Sequence, residues 1–145
     1  MNFLAAIFRR KRKTRLETAL EHVDGAAERF RLAAEMSVQP QARLFWDLAA
    51  ASTDLRAQVA SDPGCISSLR RIIFFYLPTM ADLCHRWAQL SQSDPFRPSD
   101  KTALADFRGY LELIRAASVA CRTRSYDDLH LTMEAFDEQL RRLSI

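Results

Sequence analysis

Three observations predict an all-α fold, an antiparallel bundle of four to five helices with a proline-kinked central helix. Only three glycines and five prolines occur in 145 residues, beside abundant Ala, Leu, Arg and Glu, a composition that favours long helices over sheet and turn. Apolar residues recur in alternating steps of three and four along most of the chain, the period of a helix with one buried face. Turn signals at Gln39-Pro40, Ser61-Asp62-Pro63-Gly64 and Ser91 to Asp100 divide that pattern into helix-sized pieces.

The pieces follow in order. Thr14 and Glu17 have the spacing of a capping box, in which hydroxyl and carboxylate each accept from a free backbone N–H, so a first helix starts here. Leu16, Leu20, Val23, Ala27, Phe30 and Ala34 form its apolar stripe. After Pro40 a second helix carries Leu44, Phe45, Leu48, Ala51, Leu55 and Val59, and the two read as an antiparallel hairpin. Ile66, Leu69, Ile73, Tyr76, Leu77, Met80, Leu83, Cys84, Trp87 and Leu90 then mark the most apolar segment, the central helix. Pro78 lacks an N–H and its ring collides with the carbonyl four residues back, which predicts a kink or short break near Phe75 to Leu77. Ser99 or Asp100 can cap a fourth helix carrying Leu104, Phe107, Leu111, Ile114, Ala117 and Cys121, ending near Arg124. Ser125 with Asp128 resembles a capping pair for a last helix striped by Leu129, Met133, Phe136, Leu140 and Leu143. The domain division is an arm, 1–15, and a bundle, 16–145.

Charge is distributed unevenly. The net charge is +3, yet Arg9, Arg10, Lys11, Arg12, Lys13 and Arg15 hold six of the 21 basic residues, leaving fifteen basic against eighteen acidic in the body. The basic character therefore belongs to the arm, which disfavours a nucleic-acid-tracking face on the bundle. Phe3, Leu4, Ile7 and Phe8 gather on one face if the arm is helical, and the six cations follow. Apolar side chains beside a polybasic run suit the surface of an anionic bilayer, so this segment is the membrane-surface candidate. The apolar run is far short of the ~20 residues a spanning helix needs, and its charges follow rather than precede it, unlike a signal peptide.

Sites of chemistry are sparse in the pattern. Cys65, Cys84 and Cys121 sit widely spaced among apolar neighbours, as buried free thiols of a reducing compartment would, and His22, His85 and His130 are too scattered for a zinc signature. Asp127 and Asp128, with Glu134, Asp137 and Glu138 nearby, could be imagined as an acid/base or cation site, but they read as the solvated face of the last helix. No nucleophile elbow, phosphate loop or HExxH motif occurs. Arg70, Arg71, Tyr76, Pro78, Asp82 and Trp87 are spaced so that they could line a partner groove beside the proline break, whereas the plainer reading makes Tyr76 and Trp87 core aromatics.

The stretch from Leu69 through Arg70-Arg71-Ile72-Ile73-Phe74-Phe75-Tyr76-Leu77-Pro78 to Leu83, continuing to Trp87 and Leu90, resembles the hallmark segment of the XpaC family, the 5-bromo-4-chloroindolyl phosphate hydrolysis proteins. The Asp62-Pro63 turn before it and Asp127-Asp128-Leu129 after it fit the same resemblance. The resemblance implies a bacterial helical protein named for an effect on hydrolysis of a chromogenic phosphate, mentioned beside tellurite and other toxic-anion resistance proteins. Family members commonly carry membrane-embedded segments ahead of the helical region, where this chain has only Phe3 to Phe8.

The expectation is a non-catalytic interaction or scaffold protein, cytoplasmic or at the cytoplasmic face of the inner membrane, with no cofactor, metal or catalytic residue. Its partners would be a protein, an anionic membrane surface and, in a further reading, a second copy of the chain. The rival class is a phosphatase-like hydrolase acting on 5-bromo-4-chloroindolyl phosphate or related phosphomonoesters.

Overall fold

The computed structural model describes residues 13–94 and 101–143, and among them every regular element is helical. The elements are α1 (Arg15–Met36), α2 (Gln41–Ser61), a 3₁₀ turn (Pro63–Ile66), a π-helical segment (Ile72–Tyr76), α3 (Leu77–Ser93), α4 (Lys101–Thr123) and α5 (Asp127–Leu143). Thr14 is the N-cap of α1 and both halves of its box form: the Glu17 N–H donates to the Thr14 hydroxyl at 3.0 Å and the Thr14 N–H to the Glu17 carboxylate at 3.4 Å. The segment 95–100, with the expected caps Ser99 and Asp100, lies outside the described residues. α4 ends at Thr123, and Arg124 follows in the left-handed region at φ 56° while its Nε donates to Asp62 at 3.1 Å. α5 starts at Asp127 with two acids in its first turn, favourable to the helix dipole.

Contacts along the helices give their directions. α1 and α2 form the expected antiparallel hairpin, pinned by Asp24 and Arg56 at 2.6 Å. α3 and α4 form a second hairpin, with Trp87 against Phe107 near the end where the chain passes from α3 to α4. The hairpins pack side by side with parallel neighbours. His22 meets Phe74 and Arg29 meets Asp82, so α1 and α3 ascend together. Phe45 meets Phe107 and Gln58 meets Cys121, so α2 and α4 descend together. The sequence 62–76 crosses between hairpins, and α5 lies antiparallel to α4 and against the π-helical segment.

Proline acts by rewinding rather than breaking the central helix. Leu77 N–H donates to Ile72 C=O, five residues back, so the helix widens just before the missing N–H of Pro78. The extra residue rotates the buried stripe, which continues as Leu77, Met80, Ala81, Cys84 and Ala88, and Leu90 is left 56% exposed. α1 buries Ala19, Ala26 and Ala33 at seven-residue steps besides Val23 and Phe30, small side chains that let its backbone lie close to α2 and α3. Aromatic rings bind the remaining elements: Phe45, Trp87 and Phe107 stand within 5.4–5.8 Å of one another, and Tyr110, Phe136 and Tyr76 extend the chain of rings to the crossover. No described helix is long and apolar enough to cross a membrane.

Candidate functional site

The crossover brings together groups distant in sequence. Tyr76 is fully buried, and its hydroxyl donates to the Asp137 carboxylate on α5. Arg71 Nη2 reaches both oxygens of the same carboxylate, at 3.1 and 3.3 Å, and its guanidinium stands 5.3 Å from the Tyr76 ring centroid. Burial pushes the Tyr76 phenol up to about 12, and the hydrogen bond to Asp137 adds to it. The phenol is thus held neutral as a donor, and the carboxylate's acceptor positions are shared between phenol and guanidinium. Chemically this is a clamp joining the π-helical segment to α5. Asp137 thereby departs from the solvated-face reading of the acidic residues on the last helix.

Two residues further and on another side of the helix, Pro78 faces α1 across an open groove of about 400 Å³, lined also by Glu21, His22, Gly25, Ala26 and Arg29. The floor is low because Gly25 has no side chain, and a Cβ there would meet no atom within 4 Å. His22 is oriented by its Nδ1 at 2.9 Å from the Thr18 carbonyl and by an edge contact with Phe74 at 4.9 Å. Arg29 reaches Asp82 at 3.8 Å, and Asp82 also holds Arg86 at 3.1 Å. Glu21, on the rim, is paired with Lys13 at 2.7 Å.

The six residues of the expected partner groove fall in separate places. Arg71 and Tyr76 belong to the α5 clamp, Pro78 and Asp82 to the α1 side, and Trp87 to the ring cluster with Phe45 and Phe107, while Arg70 is exposed before the π-helical segment. The cause is angular: each residue turns the helix by about 100°, so neighbours two apart point to opposite sides. Tyr76 and Trp87 are core aromatics, Tyr76 with its polar tip on Asp137. The α1 residues of the groove are not legible in the sequence, because spacing along one helix does not show what a second helix places beside it. Gly25, lying mid-helix on the exposed side of the α1 stripe, was the signal available.

Of the membrane-surface candidate, Phe3, Leu4, Ile7, Phe8, Arg9, Arg10, Lys11 and Arg12 lie outside the described residues. Lys13 and Arg15 are described, exposed at the start of α1. Cys65, Cys84 and Cys121 are buried free thiols. Burial pushes the Cys65 thiol up to about 12, assisted by Cys121 beside it, and burial alone raises Cys84. Among the described residues no three His, Cys, Asp or Glu side chains converge on a metal position. Asp127 and Asp128 are exposed in the first turn of α5. Compared with protein-family models, curated proteins and solved structures, the chain finds no match.

Proposed function

We propose that this chain is a non-catalytic helical interaction or scaffold protein of the XpaC-like type. It acts through a protein partner at the cytoplasmic face of the bacterial inner membrane, in the service of a toxic-anion resistance system. The observation that carries this reading is the point at which the basic run enters the bundle. Lys13, the last cation before α1, pairs with Glu21, and Glu21 lines the open groove beside Pro78. An anionic surface attracting Arg9 to Arg15, at about 1 kcal/mol per cation near the surface, would hold that groove beside the membrane. The groove is wide and open, a form suited to side chains of a partner helix.

The rival reading, a phosphatase-like hydrolase, needs a carboxylate free to act. Asp127 and Asp128 remain its candidates, whereas Asp137 is engaged by Tyr76 and Arg71. The two classes separate by incubating the purified chain with 5-bromo-4-chloroindolyl phosphate and a phenyl phosphate, with and without divalent metal. The scaffold reading expects no turnover above buffer. Metal-dependent turnover that disappears in D127N/D128N would replace it with the hydrolase.

A further inference from the structure

The exposed edge of α4 carries a regular row of charge. Lys101, Arg108, Arg115 and Arg122 follow one another at seven-residue steps, and all four are exposed. Seven residues rise about 10 Å along a helix and return to nearly the same direction, drifting by about 20° per step, so the row runs for roughly 32 Å along one side. Several other cations of the bundle are paired. Arg31 is held by Glu28 and Glu35, Arg56 by Asp24, Arg86 by Asp82 and Arg124 by Asp62. None of the four α4 cations forms an ion pair among the described residues. Glu112 interrupts the row once, and Asp54 of α2 shares an open groove of about 470 Å³ with Arg115 and Arg122 without pairing to either. Val119, 45% exposed between Arg115 and Arg122, adds an apolar contact on the same edge.

We propose that this edge of α4 is a second contact for an anionic lipid bilayer, which lays the bundle lengthwise on the membrane. The assignment rests on the reading that the arm brings the chain to such a surface. A row longer than the Debye length, about 8 Å at physiological salt, and confined to one side of the helix meets a plane of charge along its length, whereas a compact anion could engage one cation at a time. The row descends towards Arg122, near the end of the bundle from which the arm departs, so arm and edge can engage one surface together. Once either is bound, the other binds at high effective concentration.

The test is co-sedimentation of the full chain with vesicles of mixed anionic and zwitterionic lipid, at low and moderate salt. Four proteins are compared: the wild type, R108Q/R115Q/R122Q, an arm variant with Arg9, Arg10, Lys11 and Arg12 changed to Gln, and the control R43Q/R141Q/R142Q. The control removes three other exposed cations at the same cost in net charge. The edge variant is expected to bind roughly a hundredfold more weakly than wild type at low salt, with unchanged helical circular dichroism, and the control less than about fivefold more weakly. Edge and control variants that weaken binding equally would overturn the proposal, as would an edge variant that binds like wild type. Edge-dependent binding that is tighter to duplex DNA or polyglutamate than to vesicles would overturn the lipid assignment. An arm variant that binds like wild type while the edge variant fails would remove the arm reading and leave the edge standing.

Discussion

The α1–α2 hairpin and the crossover 62–76 use opposite means to hold their places. The hairpin is built from small residues in a regular winding: α1 buries Ala19, Ala26, Ala33 and Ala34, α2 buries Ala42 and Ala51, and its polar contacts are exposed ion pairs such as Asp24 with Arg56. The crossover winds in two different ways within a few residues and relies on large buried side chains, Leu69, Ile72, Ile73 and Tyr76, with one polar group led inward to Asp137. Close approach of backbones stabilises the first, and filled volume with a satisfied hydrogen bond stabilises the second. The two regions therefore tolerate change differently: the hairpin resists added volume, the crossover resists its removal.

The largest effect should come from the crossover. Tyr76→Ala removes a fully buried ring that touches Phe136 and Phe75, and urea denaturation should show a loss of about 3–5 kcal/mol. The hairpin should answer to the opposite change. Ala33→Leu forces a branched side chain into the fully buried side of α1 and is expected to cost about 1–3 kcal/mol in the same assay, whereas loose packing there would accept it without loss.

Tyr76→Phe keeps the ring and deletes only the donor to Asp137, so its cost should be about 1 kcal/mol at neutral pH, Arg71 remaining on the carboxylate. It should also change the alkaline limb. The Tyr76 phenol is raised from its usual value near 10 to about 12, so the folded state keeps a proton that the unfolded state releases. Its contribution is fully present below pH 10 and is lost as pH rises through 12. Cys65, raised to about 12, acts in the same direction and begins lower. Stability measured from pH 9 to 12 should therefore fall with pH, and less steeply above pH 10 in the Tyr76→Phe protein.

The smallest expected effect is a gain. Gly25→Ala places a Cβ in open space on a helical backbone and should stabilise by about 0.5–1 kcal/mol, read from the denaturation midpoint, while raising the floor of the Pro78 groove. A partner seated in that groove would lose affinity as the fold gains stability, which separates the two roles of the position.

These two regions also differ in how much the sequence disclosed. The hairpin was legible because each signal was local: Thr14 and Glu17 lie within one turn, and the three-four spacing of Val23, Phe30, Phe45, Leu48, Leu55 and Val59 names residues that are buried. The parallel packing of α1 on α3 was not, since the pattern says which face is covered and is silent on what covers it. At the crossover the position of the disturbance was readable from Pro78, but its form was not. Widening the turn at Ile72–Tyr76 preserves the burial of Ile72, Ile73 and Tyr76, which a break would expose, and that gain comes from tertiary contacts. For the same reason the groove beside Pro78 is not legible in the sequence: Glu21, His22 and Arg29 read as the polar side of an amphipathic helix until α3 is placed beside them.

On the proposed reading the bundle works by docking, with its basic arm as the primary attachment. Its most direct test is the salt dependence of binding to anionic vesicles, comparing the intact chain with one in which Arg9, Arg10, Lys11 and Arg12 are Gln. Binding is expected to weaken steeply between low and moderate salt and to be largely lost in the variant. Equal binding by both proteins, or none by the intact chain at low salt, would contradict it.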